Sequence, residues 1–262
     1  MINKINKIFD TRIFTFVTLI EFLKLRKIPR HISVDTKFFS QDFKIVDSCT
    51  FLEGIREIFI GQIYAFNTNN RHPLIIDCGA NIGLGSIYFK QLYPQSKIIA
   101  FEPDPQIYEI LKFNLDSLGM SDVQISNTAV WNQESKLSFF KEGAFSGRIA
   151  KVGDDNLIEV KTTRLKSLLG QKIDFLKIDI EGAEYPVIKD CQELLKNVER
   201  IFIEYHSHYQ EKQNLHDILA ILTEEGFRYH IKEAYTSQRP FIDRPLMLNF
   251  DLQLNIFATR ER

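Results

Sequence analysis

An aspartate and three glycines form the first pattern in this 262-residue chain that could do chemistry. The stretch "LIIDCGANIGLGSIYF" (74–89) places Asp77 at the end of an apolar run, with Gly79, Gly83 and Gly85 shortly after it. Glycine permits a tight turn and the close approach of a ligand to the main chain. Ligands of open α/β sheets bind where the first strand turns into its helix. The pattern therefore predicts a ligand-binding turn.

The acid in front of the glycines distinguishes this turn from a dinucleotide site. The dinucleotide fingerprint is G-x-G-x-x-G around a pyrophosphate, whereas this chain reads D-x-G-x-x-x-G-x-G with Asn81 at the second glycine's place. A carboxylate at Asp77 repels a pyrophosphate and suits a cationic ligand. Glu102 ends the next predicted strand, where an acid binds ribose hydroxyls in such folds. The pair favours a sulfonium and ammonium carrier over NAD, while purely structural roles as turn-former and helix cap stay open.

Strand-like and helix-like segments alternate from residue 74 onward, which predicts an α/β sheet with crossover helices. The predicted strands of this sheet lie at 74–77, 97–102, 123–131, 173–180, 199–206, 227–233 and 250–258, with a hairpin formed by 136–140 and 157–163. Helices are predicted at 83–92, 104–119, 183–196 and 209–225. Asp104 is the expected N-cap of the second helix, Pro105 its first residue and Gly119 its end.

The composition is that of a globular protein with a hydrophobic core, since 44% of the residues are hydrophobic and 26% are charged. The net charge of -1 provides no overall field that would attract nucleic acid. The cysteines Cys49, Cys78 and Cys191 are far apart and have neither zinc-ligand spacing nor the pattern of a disulfide framework. This usage suits a reducing compartment. We therefore predict a cytoplasmic protein without a nucleic-acid partner.

The N-terminal region lacks the alternation of strands and helices. We predict a helical cap or lid over residues 1–72 that is not independent of the domain at 73–262. Residues 8–31 are apolar, but their longest uncharged run, Ile13 to Ile20, is too short to span a bilayer. An amphipathic helix there packs on its own domain or on a second subunit, which is the favoured interpretation. Contact of its basic residues with an anionic membrane surface stays open.

Four segments in order, "IIDCGANIGLGSIYF", "IIAFEPDP", "NTAVW" and "DFLKIDIEGAEYPVI", resemble the successive motifs of the FkbM family of S-adenosylmethionine-dependent methyltransferases. The resemblance covers about residues 57–206. It implies an α/β fold with a class I methyltransferase (Rossmann-like) sheet of seven strands in the order 3-2-1-4-5-7-6, with strand 7 antiparallel. The segments 227–233 and 250–258 would supply the last two strands. It also implies S-adenosylmethionine as the cofactor.

The resemblance assigns the cofactor contacts by position. Residues 77–83 would surround the methionine and ribose parts, Glu102 would hold the ribose diol, and the residues after it would border the adenine. The cofactor-binding residues that it implies are Asp77, Gly79, Ala80, Asn81, Gly83, Glu102, Pro103, Asp104, Ala129, Val130 and Asp179.

Methyl transfer from a sulfonium requires an acceptor atom aligned with the methyl carbon, and a hydroxyl acceptor is helped by a base or a metal. The catalytic candidates follow the fourth and fifth predicted strands: Asp179 at the cofactor–acceptor boundary, His206 as the base, and Glu204 orienting it. The same three residues offer ligands to a divalent cation, whose presence stays open. Glu181 is predicted only to complement a helix dipole, and His208 to be solvated in an exposed turn.

The leading functional hypothesis is an S-adenosylmethionine-dependent O-methyltransferase acting on a hydroxyl of a sugar, a glycan or a similar small polar acceptor. Loops at 141–156 and 236–248, which carry Arg148, Arg239 and Phe241, are expected to cover that acceptor. Two alternatives stay open: an NAD(P)-dependent oxidoreductase on a similar sheet, and a non-enzymatic cofactor-binding module. A homo-oligomer, and membrane association at the inner surface through residues 8–31, also stay open.

Overall fold

The chain folds around a seven-stranded sheet, with a two-stranded hairpin before it in the sequence and a four-stranded sheet beside it. The computed structural model describes residues 10–142, 146–149, 157–247 and 249–260. In chain order the strands are β1 (Val34–Phe38), β2 (Gln41–Ile45), β3 (Leu74–Cys78), β4 (Lys97–Phe101), β5 (Gln124–Ser126), β6 (Ala129–Trp131), β7 (Lys136–Glu142), β8 (Ser146–Ile149), β9 (Leu157–Arg164), β10 (Phe175–Ile178), β11 (Arg200–His208), β12 (Phe227–Tyr235) and β13 (Phe250–Arg260). The α-helices are α1 (Leu19–Leu25), α2 (Ser48–Gly54), α3 (Leu84–Leu92), α4 (Pro105–Ser117), α5 (Glu184–Cys191) and α6 (Leu215–Glu224).

The central sheet has the strand order β12-β13-β11-β10-β3-β4-β5. β13 runs antiparallel to both of its neighbours, and the strands from β11 to β5 pair in parallel. β10 is buried along its whole length and β3 along nearly all of it, as expected for strands covered on both faces of a parallel sheet. The predicted order 3-2-1-4-5-7-6 with an antiparallel seventh strand is confirmed.

The parallel register brings the ends of three central strands to one edge of the sheet. Cys78 at the end of β3 lies beside Phe101 of β4 on one side and Ile178 of β10 on the other. The residues that follow these strands in the sequence, Gly79, Glu102 and Asp179, are therefore neighbours in space. This edge is where an open α/β sheet binds its ligands.

The helix after β4 begins and ends where its sequence signals predict. The Asp104 side chain accepts hydrogen bonds from the backbone N–H groups of Gln106 and Ile107, and Pro105 is the first residue of α4. Proline lacks a backbone N–H, but the first residue of a helix has no intrahelical acceptor for one, and the fixed φ of proline suits the first helical turn. Gly119 follows the helix with a φ of 70°, the left-handed conformation that ends many helices.

The prediction of one strand over 123–131 was wrong, because the chain leaves the central sheet in the middle of that segment. β5 pairs with β4 in the central sheet, whereas β6 pairs with β9 in the sheet of order β6-β9-β7-β8. The side-chain amide of Asn127, between the two strands, donates hydrogen bonds to the carbonyls of Glu102 and Pro103 at 2.9 and 3.0 Å. These bonds anchor the chain at the end of β4. The predicted hairpin of β7 and β9 is confirmed.

The predicted N-terminal cap contains helices and also a hairpin that the sequence analysis missed. β1 and β2 are joined by Phe39 and Ser40, whose φ angles are 50° and 65°. Positive φ at both central residues is the mark of a two-residue hairpin turn that twists with its strands, and such turns usually carry Asn or Gly. Phe39 and Ser40 provide neither signal, so the turn could not be recognised from residue type.

The cap shares a hydrophobic core with the central sheet. Phe38, Phe51 and Phe59 of the cap belong to the same buried cluster as Phe89 and Phe202 of the sheet layers. Burial of such aromatic side chains provides about 1.5–3 kcal/mol each, so the two regions stabilise each other. The boundary between residues 72 and 73 stays a prediction.

The first helix of the cap has apolar residues on two sides. Phe22 and Leu25 of α1 are buried, whereas Leu19, Ile20 and Leu23 are exposed. Within the part of the chain that the structure describes, no helix is long and apolar enough to cross a membrane. Peripheral membrane contact and a second subunit both stay predictions for this exposed surface, and co-sedimentation with anionic vesicles would distinguish them.

Candidate active site

A buried lysine connects the ends of β3 and β10. Lys177 lies in the apolar strand "FLKI" and is only 4% exposed. Its Nζ donates to the carbonyl of Gly79 at 2.7 Å and lies 3.2 Å from a carboxylate oxygen of both Asp77 and Asp179. Burial lowers the pKa of Lys177, but the two carboxylates raise it well above its ordinary value. The lysine therefore stays charged and holds the three groups together.

The structure gives Asp77 a different task from the one expected from the sequence. Its side chain is completely buried, and Ser86 Oγ donates to Asp77 Oδ2 at 2.7 Å while Lys177 faces Oδ1. A carboxylate that is paired inside the protein does not present its full charge to a ligand. Asp77 thus fixes the conformation of the turn through its contacts with Ser86 and Lys177, and direct contact with a cationic ligand stays a prediction.

Glycine is required at two positions of the turn, because a side chain there would collide with neighbouring protein atoms. Gly79 has a φ of 86°, and a Cβ built on it would lie 1.9 Å from the carbonyl oxygen of Asp179. Gly83 has a φ of 100°, and its Cβ would lie 2.9 Å from Leu111. The backbone N–H groups of Gly79 and Ala80 donate to the carbonyl of Phe101. The turn is therefore packed between β4 and β10, and its contacts with a cofactor stay predictions.

Glu102 joins the glycine turn to the loop after β4. Its Oε2 accepts the backbone N–H of Asn81 and its Oε1 that of Asp104, both at 2.9 Å. Asn81 adopts a φ of 49°, in the left-handed region that favours Asn among side-chain-bearing residues. Burial raises the pKa of Glu102 to about 8, although both N–H donors act to lower it. A carboxylate accepts about four hydrogen bonds, so capacity for a ribose diol remains.

The other predicted cofactor residues border the same edge of the sheet. Asp104 is buried and occupied as the N-cap of α4, and Pro103 beside it is half-buried. Ala129 and Val130 are buried in β6, immediately after the segment that Asn127 anchors to the end of β4. The structure thus brings Gly79, Glu102 and Asp179 to one edge and places Ala129 and Val130 in the strand that follows the Asn127 anchor, and their individual contacts with a cofactor stay predictions.

A histidine and two acids form a second buried cluster, next to Asp179. His206 Nδ1 lies 3.1 Å from Oε1 of Glu184, and His206 Nε2 lies 3.3 Å from Oε2 of Glu181. Glu184 Oε1 also accepts the backbone N–H groups of Ile180 and Gly182. Burial lowers the pKa of His206, but Glu181 and Glu184 raise it well above its ordinary value. His206 is therefore protonated at neutral pH and is not available there as the base that the sequence analysis predicted.

Glu204 occupies the same face of β11 as His206, two residues earlier. It is half-buried and lies directly opposite Asn255 of β13. Burial, followed by the charge of Asp179, raises the pKa of Glu204 to about 8. The side-chain amide of Asn255 lies 3.4 Å from Oε1 of Glu57 in the cap. The cap therefore reaches the polar surface beside Glu204.

Three expectations about individual side chains were wrong. Glu204 does not orient His206, because Glu181 and Glu184 occupy both ring nitrogens. Glu181 does not begin a helix: it lies before α5 with a φ of 55°, in the turn that faces His206. His208 is buried in β11, with its ring stacked on Tyr209, because the strand extends beyond the predicted end at residue 206.

The structure also identifies a residue that the sequence analysis missed. Lys177 was not predicted as a site residue, although it is buried and contacts Gly79, Asp77 and Asp179. A lysine inside an otherwise apolar strand was a usable signal, since a buried ammonium needs acidic partners. In the 236–248 loop, Phe241 is 99% exposed and so covers nothing in this structure. The side chain of Arg148 lies outside the described residues.

Comparisons with known proteins identify the family of this chain. The family model of the methyltransferase FkbM domain matches residues 77–229. Methyltransferase sdnD of Sordaria araneosa is 33% identical over an alignment of 187 residues that covers 55% of this chain and 71% of the relative. The 2-O-methyltransferase NoeI of Sinorhizobium fredii is 28% identical over an alignment of 174 residues that covers 57% of this chain and 71% of the relative.

A solved structure supports the fold independently. The methyltransferase FkbM from Methylobacillus flagellatus superimposes with a TM-score of 0.50 at 15% identity, over 74% of this chain and 45% of that one. The family match spans more than half of this chain and contains the glycine turn, Glu102, Lys177 and the His206 cluster. The chain therefore belongs to the FkbM methyltransferase family.

Proposed function

We propose that this protein is an S-adenosylmethionine-dependent O-methyltransferase that modifies a hydroxyl of a sugar, a glycan or a similar small polar molecule. The observation that carries the proposal is the position of Glu102 at the end of β4, bonded to Asn81 of the glycine turn. A carboxylate with free acceptor capacity at this edge suits a ribose diol. Family membership and the relative named as a 2-O-methyltransferase support the transfer of a methyl group to oxygen.

The residues at the sheet edge fit the methyl donor. Glu102 would hold the ribose, and the half-buried Asp179 lies where the donor site meets the acceptor side. S-adenosylmethionine supplies a methyl group that its sulfonium already activates. The protein therefore has to align the acceptor and exclude water, which a rigid turn held by Lys177 and Glu102 supports.

The acceptor side is lined by groups that hydrogen-bond. Glu204, Asn255 and Glu57 converge there from β11, β13 and the cap, and such a surface favours a ligand with several hydroxyls. In the transfer, the acceptor oxygen bonds to the methyl carbon as the carbon–sulfur bond breaks and its electron pair stays on sulfur. The hydroxyl proton goes to the ionised form of Glu204, whose pKa of about 8 leaves part of the carboxyl groups ionised near neutral pH, whereas Glu181 and Glu184 hold His206 in its protonated form.

The function is tested first by donor binding. Calorimetry should detect S-adenosylhomocysteine, and Glu102→Ala should weaken its binding by about 10- to 100-fold, the effect of losing one or two hydrogen bonds to a charged group. Because the ribose favours the ionised carboxylate, wild-type affinity should rise as the pH passes about 8, the pKa of Glu102. Glu102→Gln should flatten this rise. The matched control is Glu109→Gln on the exposed side of α4, and absence of binding to the wild type would refute the proposal.

Methyl transfer itself tests the role of Glu204. With labelled donor and a panel of sugars as acceptors, kcat should rise with pH to a plateau above about 8, as Glu204 loses its proton. Glu204→Gln should lower kcat about 100-fold, the usual contribution of a positioned base, and should abolish the rise. S-adenosylhomocysteine affinity should be unchanged in this variant. An unaltered pH profile in Glu204→Gln would show that another group accepts the proton.

A further inference from the structure

We propose that Asp179, Glu181 and His206 bind a divalent cation on the acceptor side of the active site, with Glu184 orienting the histidine. The three candidate ligands come from the end of β10, the following turn and β11. The inference deepens the proposed function and rests on it for the chemical role of the ion. The binding itself can be tested without any methyl transfer.

The spacing of the ligand atoms suits one ion. Each residue offers one ligand atom, and these atoms all lie within 4.8 Å of one another. His206 Nε2 and Glu181 Oε2 are 3.3 Å apart. Two ligands that each lie about 2.1 Å from a first-row metal ion are separated by about 3 Å at a right angle. Only small side-chain rotations of the two half-buried acids are needed to close the remaining distance.

The surroundings of His206 are those of a metal-bound histidine. A histidine that binds a metal through one ring nitrogen usually donates the N–H of the other to a carboxylate, which orients the ring. Glu184 is placed for this role: it is 1% exposed, it faces His206 Nδ1 at 3.1 Å, and it accepts the N–H groups of Ile180 and Gly182. Nε2 is thereby directed at Glu181, and a cation bound there would take the place of the Nε2 proton, which leaves to solvent. The same carboxylate that orients the ring also shapes the turn that carries Glu181.

The ligand set indicates the class of cation. Two carboxylates are hard oxygen donors, which Mg²⁺ and Mn²⁺ accept, while an imidazole favours a transition metal over Mg²⁺. Mn²⁺ satisfies both conditions. A divalent cation beside Asp179 would bind the acceptor hydroxyl and lower its pKa. Glu204, two residues from His206 on the same face of β11, would then take the proton.

Binding of Mn²⁺ alone tests the site. The full chain is treated with a chelator and titrated with Mn²⁺, and the loss of the free-ion signal is followed by electron paramagnetic resonance. We expect one site per chain, a loss of affinity of at least tenfold in Glu181→Gln, and a 10- to 100-fold loss in the positioning variant Glu184→Gln. Glu109→Gln should bind as the wild type does. No Mn²⁺ binding to the wild type, or equal binding to Glu181→Gln, would overturn the proposal.

Two further measurements keep the result interpretable. His206→Ala should abolish binding, but it empties a buried position; Glu181→Gln changes a half-buried side chain at constant size, and circular dichroism establishes that it is folded. S-adenosylhomocysteine should bind Glu181→Gln as tightly as the wild type. A protein that binds Mn²⁺ but not S-adenosylhomocysteine would keep the metal site and refute the proposed function. The reverse result would keep the function and leave His206–Glu181 as an ion pair.

Discussion

Replacement of Lys177 with methionine is expected to lower the free energy of unfolding by about 3–5 kcal/mol, the cost of breaking a buried ion pair from one side. Methionine fills most of the lysine's volume but leaves the fully buried Asp77 with Ser86 as its remaining side-chain partner. It also removes the donor to the carbonyl of Gly79. S-adenosylhomocysteine binding should be lost with the order of the turn. Urea denaturation and calorimetry measure the two effects.

Two variants separate the charge effect from general damage. Lys177→Met combined with Asp77→Asn removes both buried charges and should recover part of the lost free energy. Lys97→Met, at the exposed start of β4, should change stability by less than about 0.5 kcal/mol. If Lys177→Met unfolds at the same urea concentration as the wild type, the lysine is not the group that holds the turn.

Gly79→Ala is expected to be almost as damaging. The new methyl group would lie 1.9 Å from the carbonyl oxygen of Asp179, so the turn and the end of β10 must move apart. The φ of 86° adds a further cost of about 1–2 kcal/mol for any residue with a Cβ. We expect a loss of more than about 3 kcal/mol of stability. Affinity for S-adenosylhomocysteine should fall beyond detection, as calorimetry can measure.

A second glycine provides the control. Gly170 has no atom within 4 Å of its added Cβ and no positive φ. Gly170→Ala should therefore fold and bind as the wild type does, and it can be slightly more stable because alanine restricts the unfolded chain. Wild-type affinity in Gly79→Ala would mean that the end of β10 moves freely, although the Asp179 carboxylate contacts the buried Lys177.

The elements that could be predicted from the sequence are those whose signals are local. The apolar runs of β3 and β10 and the Asp104 cap of α4 are read from adjacent residues, and the two strands and the helix start agree with the structure. The strand order followed from the resemblance to the FkbM family and also agrees. The break at Asn127 was missed, because its cause is a pair of hydrogen bonds to carbonyls 24 and 25 residues away. The residue types in 123–131 do not indicate those hydrogen bonds.

The chemistry of individual side chains was harder to predict for a related reason. The shift in the pKa of His206 depends on Glu181 and Glu184, which are distant in sequence and reach it through the turn after β10. Asp77 meets Lys177 only because β3 and β10 pair in register. Residue types pointed to the carboxyl ends of the central strands, but three-dimensional pairing decides which carboxylate is paired with a cation and which histidine is charged.

The ammonium of Lys177 connects the two sides of the candidate active site in the absence of any ligand. Because the ammonium contacts Gly79, Asp77 and Asp179 together, the glycine turn is already ordered when the protein folds, and its conformational entropy is lost at that stage. A rigid receptor loses less conformational freedom on association than a loop that must assemble around its guest. The free energy of contacts between this turn and a bound ligand would then contribute fully to affinity, because none of it is needed to order the turn.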